Sequence, residues 1–164
     1  MAVNPGIDFH AFLHSAPALA KFRPQELQLL EQIMILDDYP DGHEFISEYR
    51  TNDQVFLIVG GEVVATHQRA HLRGLDEFDR LGPGELFGLL SLLDRRLPWA
   101  TFRANGPVTA ASLPIQAVEL LFRTNARIGY LFQHLIALQL AHNVRDTGRL
   151  LEAQFADIGG SPAG

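Results

Sequence analysis

The chain holds 164 residues, 47% of them apolar and 20% charged, which suits one domain with an ordinary core and excludes a disordered composition. Thirteen basic against 19 acidic residues give a net charge of −6, which argues against a nucleic-acid surface as the main activity. The absence of cysteine removes disulfides, thiolate metal sites and cysteine nucleophiles together. No basic cluster precedes an apolar run at the start, so no secretory signal is readable and the expected compartment is the cytoplasm.

Residues 1–38 read as helical. Phe9, Phe12 and Leu13 fall at helical spacing, and Pro24 sits where a helix's first turn accepts proline. Leu27, Leu30, Ile33 and Met34 form one stripe that runs out near Asp37-Asp38, and Tyr39-Pro40-Asp41-Gly42 is a turn signal. Residues 39–114 read as a β roll. The run Val55-Phe56-Leu57-Ile58-Val59 ends in Gly60-Gly61, and Glu62-Val63-Val64-Ala65-Thr66 follows, a pattern that predicts a hairpin. Further strands are expected around Phe45-Ile46, before the turn Gly82-Pro83-Gly84, and over Ala100–Ala104 and Val108–Leu113. Many short strands with Gly and Pro punctuation point to a mainly β sandwich or barrel.

Residues 115–157 read as two helices, the longer from about Ile128 to Phe155, and 158–164 as a disordered tail. Residues 1–157 thus make a single domain. The stretch 128–144 has no formal charge, yet Gln133, His134, Gln139, His142 and Asn143 interrupt it. It is shorter than the ~20 apolar residues of a membrane span, so no membrane role is expected. Ile128, Leu131, Phe132, Leu135 and Leu138 share one side of the wheel, while Ile136, Leu140, Val144 and Leu151 lie on a rotated side. That second side predicts a partner, either a second copy of the chain or the N-terminal helices.

Two stretches carry a resemblance. Residues 42–63 read GHEFISEYRTNDQVFLIVGGEV, and residues 81–104 read LGPGELFGLLSLLDRRLPWATFRA. The first resembles, without a gap, the strand and turn pattern of cyclic-nucleotide-binding domains, with Gly42, Asp53, Ile58 and Gly61 at the family's marked positions. The second resembles that family's phosphate-binding cassette, with Gly82-Pro83-Gly84, Phe87-Gly88 and Ala100 in register. The resemblance covers residues 20–155 and is nearest to the sensor half of catabolite activators. It implies a double-stranded β-helix (jelly roll) flanked by N-terminal helices and a long C-terminal helix. It implies a cyclic nucleotide as candidate ligand, and cassette contacts from Gly88, Leu89, Leu90, Ser91, Arg95, Arg96, Pro98, Trp99, Ala100 and Thr101.

Against the family pattern, Leu89 stands where a glutamate binds the ribose hydroxyl, Pro98 where an arginine pairs with the phosphate, and Tyr49 where a turn glycine is usual. Hydrogen bonds to charged groups contribute about 1.5–3 kcal/mol each, so losing both grips costs about 4 kcal/mol. That is roughly three decades of affinity. What remains for an anion is the helix start after Gly88, with Ser91 as an added hydroxyl. Arg95 or Arg96 is the candidate replacement for the lost fork, and Arg103 is expected on the surface. Trp99 is expected beside the ligand, either stacking on a planar molecule or filling the vacated space together with Leu89.

Other constellations are weaker. His67 and His71 follow a predicted strand, where four-residue spacing separates them by about 13 Å, too far to share a metal. No catalytic nucleophile–base pair is readable, and Asp76-Glu77-Asp79 reads as a solvated turn. Few residues follow Phe155, so direct DNA binding is not expected. The expected function is a non-catalytic regulatory module, degenerate for cAMP and cGMP, acting as a homodimer or through a separate signalling protein. The competing reading is a second-messenger sensor that holds a cyclic mono- or dinucleotide through the cassette helix start and Arg95 or Arg96.

Overall fold

The computed structural model describes residues 6–68, 75–91 and 96–159. In chain order these form α1 (Phe9–Ser15), a 3-10 turn (Pro17–Leu19), α2 (Pro24–Ile33), β1 (Ile35–Tyr39), β2 (Glu44–Ile46), β3 (Gln54–Gln68), β4 (Leu75–Leu81), β5 (Leu86–Phe87), β6 (Thr101–Pro114), α3 (Ile115–Thr124) and α4 (Ala126–Gly159). Asp8 starts α1 by accepting a hydrogen bond from Ala11 N at 3.0 Å. Pro24 opens α2, and Glu26 accepts from Arg23 N at 2.8 Å, covering one of the free donors of that helix end.

The strands form one antiparallel sheet in the order β1-β6-β3-β4, with β2 also on β6 and β5 also on β3. This is the mainly β jelly roll with flanking helices. β3 and β6 pair from Gln54↔Pro114 to Thr66↔Thr101 and carry both layers of the core. Val55, Leu57 and Val59 face the layer shared with Leu13, Leu30, Val118, Ile128 and Phe132 of the helices. Phe56 and Ile58 face the inside of the roll with Val63, Phe87, Val108 and Ala110. The unbroken apolar run of residues 55–59 thus records a strand covered on both sides. Inside the roll Phe87 stacks between Phe56 at 5.0 Å and Phe102 at 5.3 Å, with Phe45 edge-on at 5.4 Å.

Three expectations are corrected. The predicted hairpin at Gly60-Gly61 is a single strand, because β3 keeps its pairing with β6 through two register shifts there. The helical segment predicted to reach residue 38 ends at Ile33, and Asp37 and Asp38 lie on β1 opposite Ala110 and Thr109. Thr109 Oγ1 donates to Asp38 Oδ1 at 2.6 Å, a long-range bond that the local sequence does not announce. Helix α4 runs through Ile158 and Gly159, the first two residues of the predicted disordered tail.

The N-terminal helices are tied to α4 by a mostly buried carboxylate. Glu26 is 7% exposed, and its Oε1 lies 3.0 Å from Arg127 Nε, while Arg127 also donates to Lys21 O at 2.8 Å. Two charge-assisted contacts fix the first turn of α4 against α2.

Gly61 sits at φ +89°, and a Cβ there would press on Pro107 O and lie 3.0 Å from Val108 Cα. These are backbone atoms of β6, which have no flexible side chain to yield. Gly61→Ala is expected to destabilise the domain by about 3 kcal/mol. That lowers the melting temperature by roughly 6–12 °C for a chain of this size. A thermal melt that matches the wild type would show that the bulge can relocate.

Candidate functional site

The cassette runs from the end of β4, through β5, to the start of β6. Gly82-Pro83-Gly84 makes the turn: Glu85 Oε2 accepts from Gly82 N at 2.6 Å, and Gly84 N donates to Ile58 O at 2.8 Å. Gly88 follows β5 at φ +86°, and a Cβ there would fall 2.6 Å from Gln54 O. Only glycine lets the chain pass this close to β3. Asn52 closes the same corner, its Nδ2 at 2.6 Å from Gln54 O and 3.2 Å from Ser91 Oγ. Leu89 and Leu90 form a turn and a helix starts at Ser91; residues 92–95, Arg95 among them, lie outside the described residues.

The grips expected of this cassette are differently employed. Leu89 is 2% exposed and belongs to the core layer that faces the helices. Leu90 packs on that same layer. Ser91 is buried, with its hydroxyl accepting from Asn52. Ala100 is fully buried, and Thr101 Oγ1 accepts from Glu48 N at 3.3 Å, tying the start of β6 to the β2–β3 turn. Pro98 is half-buried and Arg96 exposed. Arg103 lies on the surface, 2.7 Å from Glu44, and the hydrogen bond from its guanidinium leads the causes that hold the Glu44 carboxyl below its ordinary value.

What the cassette encloses is a cavity of about 30 Å³ lined by Asp79, Leu81, Gly88, Leu90, Ser91, Trp99, Phe102 and Gln139. A water molecule fits such a space. Ligand pockets measure about 300–1,000 Å³. Trp99 lines the cavity while remaining 43% exposed, so it covers the mouth and is not buried core. Among the described lining residues none is basic.

Asp79, Phe102 and Gln139 were not readable as site residues. Asp79 is on strand β4 and not in a solvated turn. Phe102 alternates with exposed Arg103 on β6, a period-two signal that places it inward. Gln139 comes from α4, and no local pattern brings it to the cassette. Of the pair considered for a metal, His67 Nδ1 lies 2.9 Å from Glu48 Oε2, and His71 is outside the described residues. Among the described residues no cluster of three metal-ligating side chains occurs, and no helix is long and apolar enough to cross a membrane.

The stripe expected to meet a partner divides. Ile136 is 3% exposed and packs into the chain's own helix-facing core, so it is not a surface residue. Leu140 is 41% and Val144 71% exposed, and nothing is described of the Leu151 side chain. The reason is angular. At about 100° per residue, Ile136 falls on the edge of the face carried by Ile128, Phe132 and Leu135, while Leu140 and Val144 rotate away from it.

A family model for the cyclic nucleotide-binding domain matches residues 36–125. The chain belongs to the cyclic nucleotide-binding domain family. A cAMP-dependent protein kinase regulatory subunit of Emericella nidulans is 29% identical over 106 residues, which cover 64% of this chain and 24% of that protein. The chain therefore spans about a quarter of that relative's length. The Thermus thermophilus catabolite activator protein superposes with a TM-score of 0.70 at 25% identity, over 84% of this chain and 62% of its own. A cyclic nucleotide-binding domain from Methylobacillus flagellatus kt reaches a TM-score of 0.76 at 21% identity, over 87% of this chain and 80% of its own.

The burial of Leu89 has a measurable consequence. Leu89→Glu is expected to cost about 3 kcal/mol, because the carboxylate enters the apolar layer that buries Leu89. Urea unfolding reads this directly. A variant as stable as the wild type would mean that the cassette can turn this side chain toward the cavity.

Proposed function

We propose that this chain is a non-catalytic regulatory domain in which the nucleotide pocket has closed, and that it acts through a contact made by α4 with a second copy of itself. The cavity of about 30 Å³, with no described base on its wall, is the observation that carries the first half. The relatives named above as a kinase regulatory subunit and an activator protein support a regulatory reading and not a catalytic one.

The second half rests on α4. Tyr130, Ala137, Val144, Leu151 and Ile158 recur every seven residues, with Ala141, Gly148 and Phe155 between them at steps of four and three. Where side chains are described, Tyr130, Ala137, Ala141 and Val144 of this stripe are all exposed. The stripe lies opposite the face that Ile128, Leu131 and Phe132 bury in the chain's own core. A strict seven-residue apolar repeat is what one helix presents to an equal helix in a coiled coil, and small Ala and Gly allow close approach.

Calorimetric titration with cAMP and cGMP is expected to show no micromolar binding, with any residual dissociation constant near millimolar, as follows from losing about 4 kcal/mol. Micromolar binding of either overturns the closed-pocket reading. Micromolar binding of cyclic di-GMP that falls on Arg96→Ala replaces it with the second-messenger reading. Sedimentation separates the other half: the wild type is expected to be dimeric, and Leu140→Glu/Val144→Glu monomeric with an unchanged circular dichroism spectrum. A wild type that stays monomeric at high concentration removes the α4 contact.

A further inference from the structure

Strand β6 carries more residues than β3 at one point of their pairing. Between the pairs Glu62↔Asn105 and Gly60↔Thr109, β3 has Gly61 alone, whereas β6 has Gly106, Pro107 and Val108. The extra residues form a bulge. Asn105 is exposed at its start, and its Nδ2 donates to Glu62 Oε1 at 2.5 Å. That hydrogen bond leads the causes that hold the Glu62 carboxyl below its ordinary value. Gly106 stands at φ +81°, and a Cβ built there would meet nothing within 4 Å among the described residues.

Among the asparagines of the chain, Asn105 alone precedes glycine. An asparagine so placed can lose its amide without an enzyme, because the next backbone nitrogen can attack Cγ and close a cyclic imide. A side chain on the next residue hinders that closure, and glycine has none. The open space at Gly106 leaves room for the ring. The attacking nitrogen must also shed its proton. Gly106 N donates to Asp41 Oδ1 at 2.7 Å, so a carboxylate sits within reach of that proton.

We infer that Asn105 is a self-modifying site at which Asp41 acts as the base. Gly106 N bonds to Asn105 Cγ while its proton passes to Asp41. The Cγ–Nδ2 bond then breaks, and Nδ2 takes up that proton and leaves as ammonia. Water opens the cyclic imide at either carbonyl, giving aspartate or isoaspartate at residue 105. In both products a carboxylate replaces the donor that faced Glu62, so like charges meet across β3 and β6. The chain thereby acquires a charge change that accumulates with its age.

The test incubates the folded full chain at neutral pH and follows residue 105 by peptide mass mapping and by isoaspartyl methyltransferase labelling. Asn105 is expected to convert ahead of Asn52, Asn125 and Asn143. Asp41→Ser keeps a small polar side chain in the turn and removes the carboxylate, and is expected to slow the conversion by at least about tenfold. Its rate is also expected to fall more steeply on mild acidification than that of the wild type, because its Gly106 nitrogen then depends on hydroxide. The amide NMR spectrum verifies the fold of the variant. The inference is overturned if Asn105 stays intact in the folded chain while the urea-unfolded chain converts, which shows that the bulge holds the side chain away from the nitrogen. It is overturned equally if Asp41→Ser converts as fast as the wild type or faster, which makes Asp41 a restraint on Gly106. Isoaspartate at residue 41 in place of 105 also overturns it, since Gly42 N is held by Ala104 O at 3.0 Å.

Discussion

The pairing of β3 with β6 organises everything else in this domain. These two strands run side by side from Gln54↔Pro114 to Thr66↔Thr101, and over residues 55–59 and 108–113 each is buried on both faces. One face closes the roll around stacked phenylalanines; the other receives α1, α2, α3 and the first half of α4. Burying both faces supplies the apolar contact that holds the register, because a one-residue slip would exchange every inward and outward side chain. The cassette hangs on this pair through Gly88, which passes so close to Gln54 that a side chain would collide. The backbone frame of the family is therefore preserved whatever the cassette's side chains do.

Within the cassette, Leu89 belongs to the helix-facing layer, and the hydroxyls of Ser91 and Thr101 accept hydrogen bonds from Asn52 and from Glu48 N. A phosphate site needs donors that are free and a positive field. The outer stripe of α4, with Tyr130, Ala137, Ala141 and Val144 exposed, is the surface on which the proposed contact rests.

Much of this was legible in the chain. Pro24, Gly82-Pro83-Gly84 and the Phe87-Gly88 pair mark a helix start, a turn and a close approach through local stereochemistry, which short sequence patterns record. The hairpin read at Gly60-Gly61 and the helix extended to Asp38 failed for a common reason. Two glycines permit a reversal but do not require one, and β6 held the strand straight across them. The same strand drew residues 35–39 out of a helical pattern, since strand pairing with residues some seventy positions away outweighs weak local propensity.

The sequence by itself determined the family frame, the Leu89 and Pro98 identities within the cassette and the amphipathic character of the last helix, because each is written in residue identity at fixed spacing. Only the tertiary structure decided how much space the cassette encloses, that Ile136 is buried while Leu140 and Val144 are exposed, and that Gln139 reaches the cassette at all. Those outcomes depend on where α4 crosses the sheet. That crossing is set by Glu26, Arg127 and the packing of a whole core layer, and no stretch of neighbouring residues encodes it.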